Sequence, residues 1–188
     1  MLYSLLPNKT QEIYEKLFNL LNSVEDFVAP VDVTTDFELA CINALLVIWP
    51  NVIIFLCWFH YAQNLWKNIG LKKLAKDYVK DKTVRKLFQY LKFLPFVPPK
   101  DVIKSFKKIK EFGENCKKFD PMFEYFEKFY IGKLAKGSQT VRHVPSYPIQ
   151  KWNVVARVLN DKDKVNNSLE SWHKVFAFDA QTHPTFNK

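Results

Sequence analysis

Three short segments of the sequence carry side chains that could do chemistry. Asp36 stands in Thr34-Thr35-Asp36-Phe37-Glu38, directly after a β-branched run. A carboxylate at the carboxyl end of a parallel strand opens into the crevice where such sheets bind ligands. Mg²⁺ is commonly held by one or two carboxylates plus substrate oxygens. The same position also suits a helix start, with Thr35 or Asp36 as N-cap. Cys57-Trp58-Phe59-His60 is a C-x-x-H pair. Thiolate and imidazole at this spacing can hold zinc, but two ligands are half a site, and His143, His173 and Cys116 make no second tight pair. Zinc is therefore not expected, and the plain alternative is a buried small thiol with a satisfied His60. Glu170 stands in Asn166-Asn167-Ser168-Leu169-Glu170-Ser171-Trp172-His173. Asn167, three residues before it, makes a near capping box that accounts for Glu170 without catalysis. A catalytic reading needs Glu170 to approach Asp36 in space. The sequence contains no phosphate-cradling glycine loop, no nucleophile elbow and no H-E-x-x-H.

The elements that must position these residues follow from hydrophobic periodicity. Residues 2–6 read as a short strand and Pro7–Thr10 as a turn with capping residues. Ile13, Leu17, Leu20, Leu21 and Val24 recur at helical spacing. A second strand is expected over 31–35, a helix over about 37–48 and a third strand over 52–57. This β-α-β-α-β order argues for a parallel sheet with covering helices. After His60 strand runs vanish, and helices are expected near 60–69, 72–80, 83–92, 100–112 and 119–131. Asp120-Pro121 reads as an N-cap carboxylate with proline at the first helical position, and Gly132 as the stop. Residues 137–148 read as a loop, and a last helix is expected over about 167–180. The fold class is thus α/β followed by mainly α. Its segments are an α/β core over 1–60, a basic helical block over 61–160, and a C-terminal helix over 161–188 that returns to the core.

Charge is concentrated in the helical block. Trp66–Lys118 holds 16 Lys/Arg against 5 Asp/Glu, whereas the rest of the chain holds 12 against 14, for a net charge of +9 overall. Exposed basic helices interleaved with Trp66, Tyr78, Phe88, Tyr90 and Phe106 would attract a phosphate backbone. Lys72, Lys73, Lys76, Lys104, Lys107 and Lys108 are the DNA-contact candidates. The bland alternative is that these lysines merely solubilise helices whose aromatics are core. With 48% hydrophobic and 16% aromatic residues, intrinsic disorder is excluded. Three widely spaced cysteines do not form a disulfide framework and fit a reducing compartment. The start lacks the basic region and long apolar run of a signal peptide. Leu39–Phe59 is uncharged and long enough to span a bilayer, but Pro50-Asn51 at its centre divides it into helix, turn and strand.

Taken in order, several fragments resemble the transposase domain of Mutator-like elements (MULE transposases). They are Leu5-Leu6-Pro7-Asn8-Lys9 with Tyr14-Glu15, Thr35-Asp36-Phe37-Glu38, Trp49-Pro50, and Cys57-Trp58-Phe59-His60-Tyr61-Ala62-Gln63-Asn64. Downstream, Phe93-Leu94-Pro95, Tyr130-Ile131-Gly132, Pro148 with Trp152-Asn153, and Asn166 through His173 look like the later part of the same family. The resemblance implies a ribonuclease-H-like parallel sheet interrupted by a helical insertion that contacts DNA. It also implies a DDE site, in which two Asp and one Glu hold two divalent ions, Mg²⁺ or Mn²⁺, at a DNA phosphate. By motif, Asp36 matches the second Asp, Glu170 matches the Glu, and Cys57 and His60 match the C-x-x-H signature, with a structural or DNA-positioning role.

The family's first Asp lies on a strand upstream of the segment matched by Leu5-Leu6-Pro7. The expectation is accordingly a transposase fragment that is inactive alone and holds no metal by itself. Its partner would be DNA and its location nuclear or nucleocytoplasmic rather than secreted. An unpaired strand edge would invite association with a second copy. The alternatives are a non-catalytic DNA-binding or interaction protein derived from a transposase, and a small membrane protein built on 39–59.

Overall fold

The computed structural model describes residues 4–161. Helix α1 (Gln11–Asn22) is followed by strand β1 (Asp32–Thr35), helix α2 (Leu39–Ile48) and strand β2 (Ile53–Leu56). The two strands pair in parallel, with Asp32 opposite Ile53 and Thr35 opposite Leu56. They form a two-stranded sheet, so the described part of the chain is mostly helical. Residues 4–6 form no strand, contrary to the expectation for 2–6. Among the described residues no third strand is present to pair with them, and Leu5 is exposed. A short apolar run without a ladder partner does not hold an extended conformation. The described residues hold one pair of parallel strands, and the larger ribonuclease-H-like sheet is not seen among them.

The uncharged stretch 39–59 folds as read from its punctuation: helix, a turn at Pro50-Asn51, then strand. Val52 N–H donates to Trp49 C=O at 3.0 Å to close the turn. No helix among the described residues is long and apolar enough to cross a membrane. α1 and α2 pack together through an aromatic corner. The Phe18 and Trp49 rings are 5.1 Å apart, and the Trp49 indole N–H donates to Asn22 Oδ1 at 2.9 Å.

Five helices then follow: α3 (Trp58–Leu71), α4 (Ala75–Lys80), α5 (Lys82–Phe93), α6 (Val102–Phe112) and α7 (Asp120–Phe126), the last running into a π-helical turn at Glu127–Ile131. Each of the longer ones turns an apolar stripe inward: Tyr61, Leu65 and Ile69 on α3, Val84, Leu87, Phe88 and Leu91 on α5, and Val102, Phe106 and Ile109 on α6. The Asp81 carboxylate caps α5, accepting from the Thr83 and Val84 amides. Asp120 does not act as the expected cap. It is already inside α7, and Phe119 occupies the cap position without a side-chain bond. A 3-10 turn at Lys117–Phe119 leads directly into the helix and takes the place an extended cap residue would fill. Gly132, at φ +87°, ends the π turn as expected.

Residues 137–148 form a loop apart from one antiparallel bridge, in which Arg142 within it pairs with Leu134 before it. Two short helices not expected from sequence close the described chain, α8 (Ile149–Trp152) and α9 (Val155–Leu159). They pin the helical block to the sheet. The Tyr147 hydroxyl donates to Phe37 C=O at 3.0 Å, Asn153 Nδ2 donates to Val97 C=O at 2.7 Å, and the Val154 amide donates to Pro95 C=O at 3.0 Å. A centre of stacked rings (Tyr61, Phe126, Tyr130 and Trp152) joins both parts in one continuous core.

Candidate functional site

The register of the sheet builds the site. Thr35 and Leu56 are partners at the carboxyl ends of β1 and β2, so Asp36 and Cys57 leave the sheet side by side. The Cys57 amide donates to Thr35 C=O at 3.0 Å, extending the ladder by one bond. α3 begins at once, with Cys57 at its cap position. That places His60 in the first turn of α3, directly over the end of β1. Its Nδ1 lies 2.8 Å from Asp36 Oδ1. The Asp36 side chain is 49% exposed and that of His60 27%, so the carboxylate faces solvent at the rim of the sheet while His60 Nδ1 is covered.

Asp36 is not a helix cap. α2 starts at Leu39, and Glu38 holds the cap position without a side-chain cap bond. The Glu38 carboxylate is engaged elsewhere: it accepts from the Tyr14 hydroxyl at 2.9 Å and from Lys9 Nζ at 3.3 Å. Burial, and then the neighbouring Glu38 carboxylate, push the Tyr14 phenol well above its ordinary value. Burial likewise raises the Cys41 thiol, with Glu38 and Asp36 adding to the rise and the Thr35 hydroxyl at 3.6 Å opposing it. The carboxyl end of β1 is therefore a locally negative place.

Cys57 is fully buried, in keeping with its reading as a small core side chain, and the structure partners His60 with Asp36. Arg157 is a residue that sequence inspection passes over. Its guanidinium is nearly fully buried, with Nη2 3.5 Å from Thr34 Oγ1 and Cζ 5.4 Å from the centre of the Phe55 ring. Thr34 and Asp36 lie two apart across the end of β1, so α9 brings a cation to the strand that Asp36 follows. No sequence signal marks it, because Arg157 stands alone among the apolar residues of one short helical turn. Glu170 and His173 lie outside the described residues.

The donors present can be compared with a two-metal centre. Asp36 and His60 supply two groups, and Glu38 is committed to Tyr14 and Lys9. Among the described residues no three His, Cys, Asp or Glu side chains converge to hold an ion. The described donor set thus does not by itself fit two divalent cations.

The six lysines singled out from sequence are all exposed. Lys72 caps α3 and Lys73 follows it, Lys76 lies in α4, and Lys104, Lys107 and Lys108 stand on α6 away from its Val102, Phe106 and Ile109 stripe. None of the six forms an ion pair among the described residues, unlike Lys118, which lies 3.0 Å from Asp77 and 3.3 Å from Asp81. The interleaved aromatics divide: Phe88 and Phe106 are core, whereas Trp66 and Tyr90 are open to solvent.

Comparison of the chain with protein-family models, with curated proteins and with solved structures returns no match.

Proposed function

We propose that this chain derives from a Mutator-like DDE transposase and, taken alone, binds DNA through its basic helical block without cutting it. The observation that carries this reading is the meeting of Asp36 with His60 at the carboxyl ends of two parallel strands. These residues belong to separate fragments of the family resemblance, and the strand register brings both to the end of a parallel sheet where such sheets hold ligands. In that reading Asp36 descends from a metal ligand, and His60 holds it in place. Glu170 is assigned as the Glu of the DDE set by motif. In the intact family, Mg²⁺ or Mn²⁺ would supply Lewis-acid chemistry at the scissile phosphate. Here the residues' own contribution is narrower: His60 orients Asp36, and the unpaired lysines just past α3, in α4 and on α6 hold phosphates.

The reading is tested with fluorescence anisotropy of labelled duplex DNA across a salt series, together with a plasmid-nicking assay in Mg²⁺ and Mn²⁺. Binding whose log K falls linearly with log salt, without nicking, is expected. Absence of binding at low salt would remove the DNA-binding reading. Nicking that disappears in Asp36→Asn would show that the chain cuts, and would replace the inactive reading by an enzymatic one.

A further inference from the structure

α3 has a second face. While Tyr61, Leu65 and Ile69 enter the core, Phe59, Gln63, Trp66 and Lys67 follow at spacings of three and four on the opposite side. They form one wall of an open groove of about 610 Å³, a volume in the range of ordinary ligand sites. Tyr78 of α4 and Phe88, Gln89 and Lys92 of α5 form the other wall.

The groove is aromatic, yet its rings are not simply leftover core. Phe59 is 40% and Trp66 48% exposed. Trp66 packs at steep angles against Tyr78 at 4.9 Å and Phe88 at 5.7 Å, which holds its plane while about half of the residue stays exposed. Gln89 Nε2 donates to the Tyr78 hydroxyl at 3.0 Å and locks that ring in turn. The charges on the lining are Lys67 and Lys92, and no acidic side chain lines it. Lys92 Nζ stands 5.7 Å from the Trp58 ring centre, so a cation is held beside the aromatic wall. An occupant must offer flat π faces, polar edges for Gln63, and negative charge for the lysines. Unpaired nucleobases on a phosphodiester strand have all three, and in a duplex those base faces are stacked away. The groove also begins at Phe59, next to His60, and so runs along α3 away from Asp36.

We infer that the Phe59–Trp66 groove binds unpaired nucleobases of a DNA strand, with Lys67 and Lys92 on its phosphates. This rests on the DNA-binding reading above and adds the form of DNA that α3 recognises.

The test uses the full chain and a thymidine oligonucleotide carrying one 2-aminopurine, beside a fluorescein-labelled duplex of equal length. Binding of the single strand should quench 2-aminopurine through stacking. Trp66→Leu and Phe59→Ala should each weaken single-strand binding about ten-fold and leave duplex affinity within two-fold. Phe59→Ala carries the test if Trp66→Leu does not fold. Duplex binding without single-strand quenching would overturn the groove while leaving the DNA-binding reading intact. Loss of both substrates in equal measure from a folded Phe59→Ala would also overturn it. Binding of neither DNA form by the wild-type chain would remove both.

Discussion

His60 Nδ1 lies 2.8 Å from Asp36 Oδ1, joining the residue just past β1 to the first turn after β2. The Asp36 side chain is half open to solvent, and such exposed polar pairs contribute about 1 kcal/mol or less to stability. Asp36→Ala is therefore expected to lower the urea unfolding free energy by no more than about 1 kcal/mol. A loss of several kcal/mol would mean that the carboxylate is there to hold the fold, and the site reading would fall.

Alkaline pH should unfold this protein. Burial raises the Tyr61 and Tyr130 phenols well above the ordinary 10.0. Both must stay neutral in the folded chain, whereas in the unfolded chain they ionise from the ordinary value. Their contribution is thus fully present below about pH 10 and is lost as pH rises above it. Tyrosinate absorbance from these rings should appear together with loss of helical circular dichroism. Buried tyrosines that ionise while the helices remain intact would contradict this.

Tyr61 also makes a specific bond, donating its hydroxyl to Leu91 C=O at 2.7 Å from a fully buried position. Tyr61→Phe keeps the ring stacked near Trp152 and leaves a buried carbonyl without that donor. The expected cost is about 1–2 kcal/mol in chemical denaturation. A change near zero would indicate that water reaches Leu91.

Gly132 closes the π turn at φ +87°, and a Cβ there would lie 1.9 Å from His143 C=O. Both the backbone conformation and the space exclude a side chain. Gly132→Ala should destabilise by at least about 2 kcal/mol, read as a lowered denaturation midpoint. Gly137→Ala supplies the contrast: its φ is also positive, at +77°, but nothing lies within 4 Å of the added carbon, so its cost should be smaller.

Much of this architecture is written in local pattern. The α3, α5 and α6 stripes, the turn at Pro50-Asn51 and the stop at Gly132 are short-range signals, and they predict the helices to within a few residues. What was not legible depends on pairing. Asp36 and His60 are separated by all of α2, so their meeting follows only once β1 and β2 are neighbours in register. Residues 4–6 belong to a run that resembles a strand by composition, but a strand needs a partner, which no local run encodes. Asp120 looked like a cap because its own chemistry suits one, whereas the preceding 3-10 turn decided otherwise. Exposure is equally non-local: Trp66 and Phe88 look alike in sequence, and only the packing of α3 against α5 leaves one open and buries the other.

The remaining prediction concerns the lysines of α6. Lys104, Lys107 and Lys108 share the exposed side of one helix, opposite Val102, Phe106 and Ile109, and form no ion pairs among the described residues. Each phosphate neutralised contributes about 0.9 to the slope of log K against log salt. If all three contact duplex DNA, Lys104→Gln, Lys107→Gln and Lys108→Gln together should lower that slope by about 2.7 and leave the thermal midpoint unchanged, since none packs in the core. Lys118 is the control on the same block. It is already paired with Asp77 and Asp81, so Lys118→Gln should leave the slope alone and cost stability instead. A triple variant with an unaltered slope would move the DNA contact off α6, leaving Lys72, Lys73 and Lys76 at the end of α3 and in α4 to carry it.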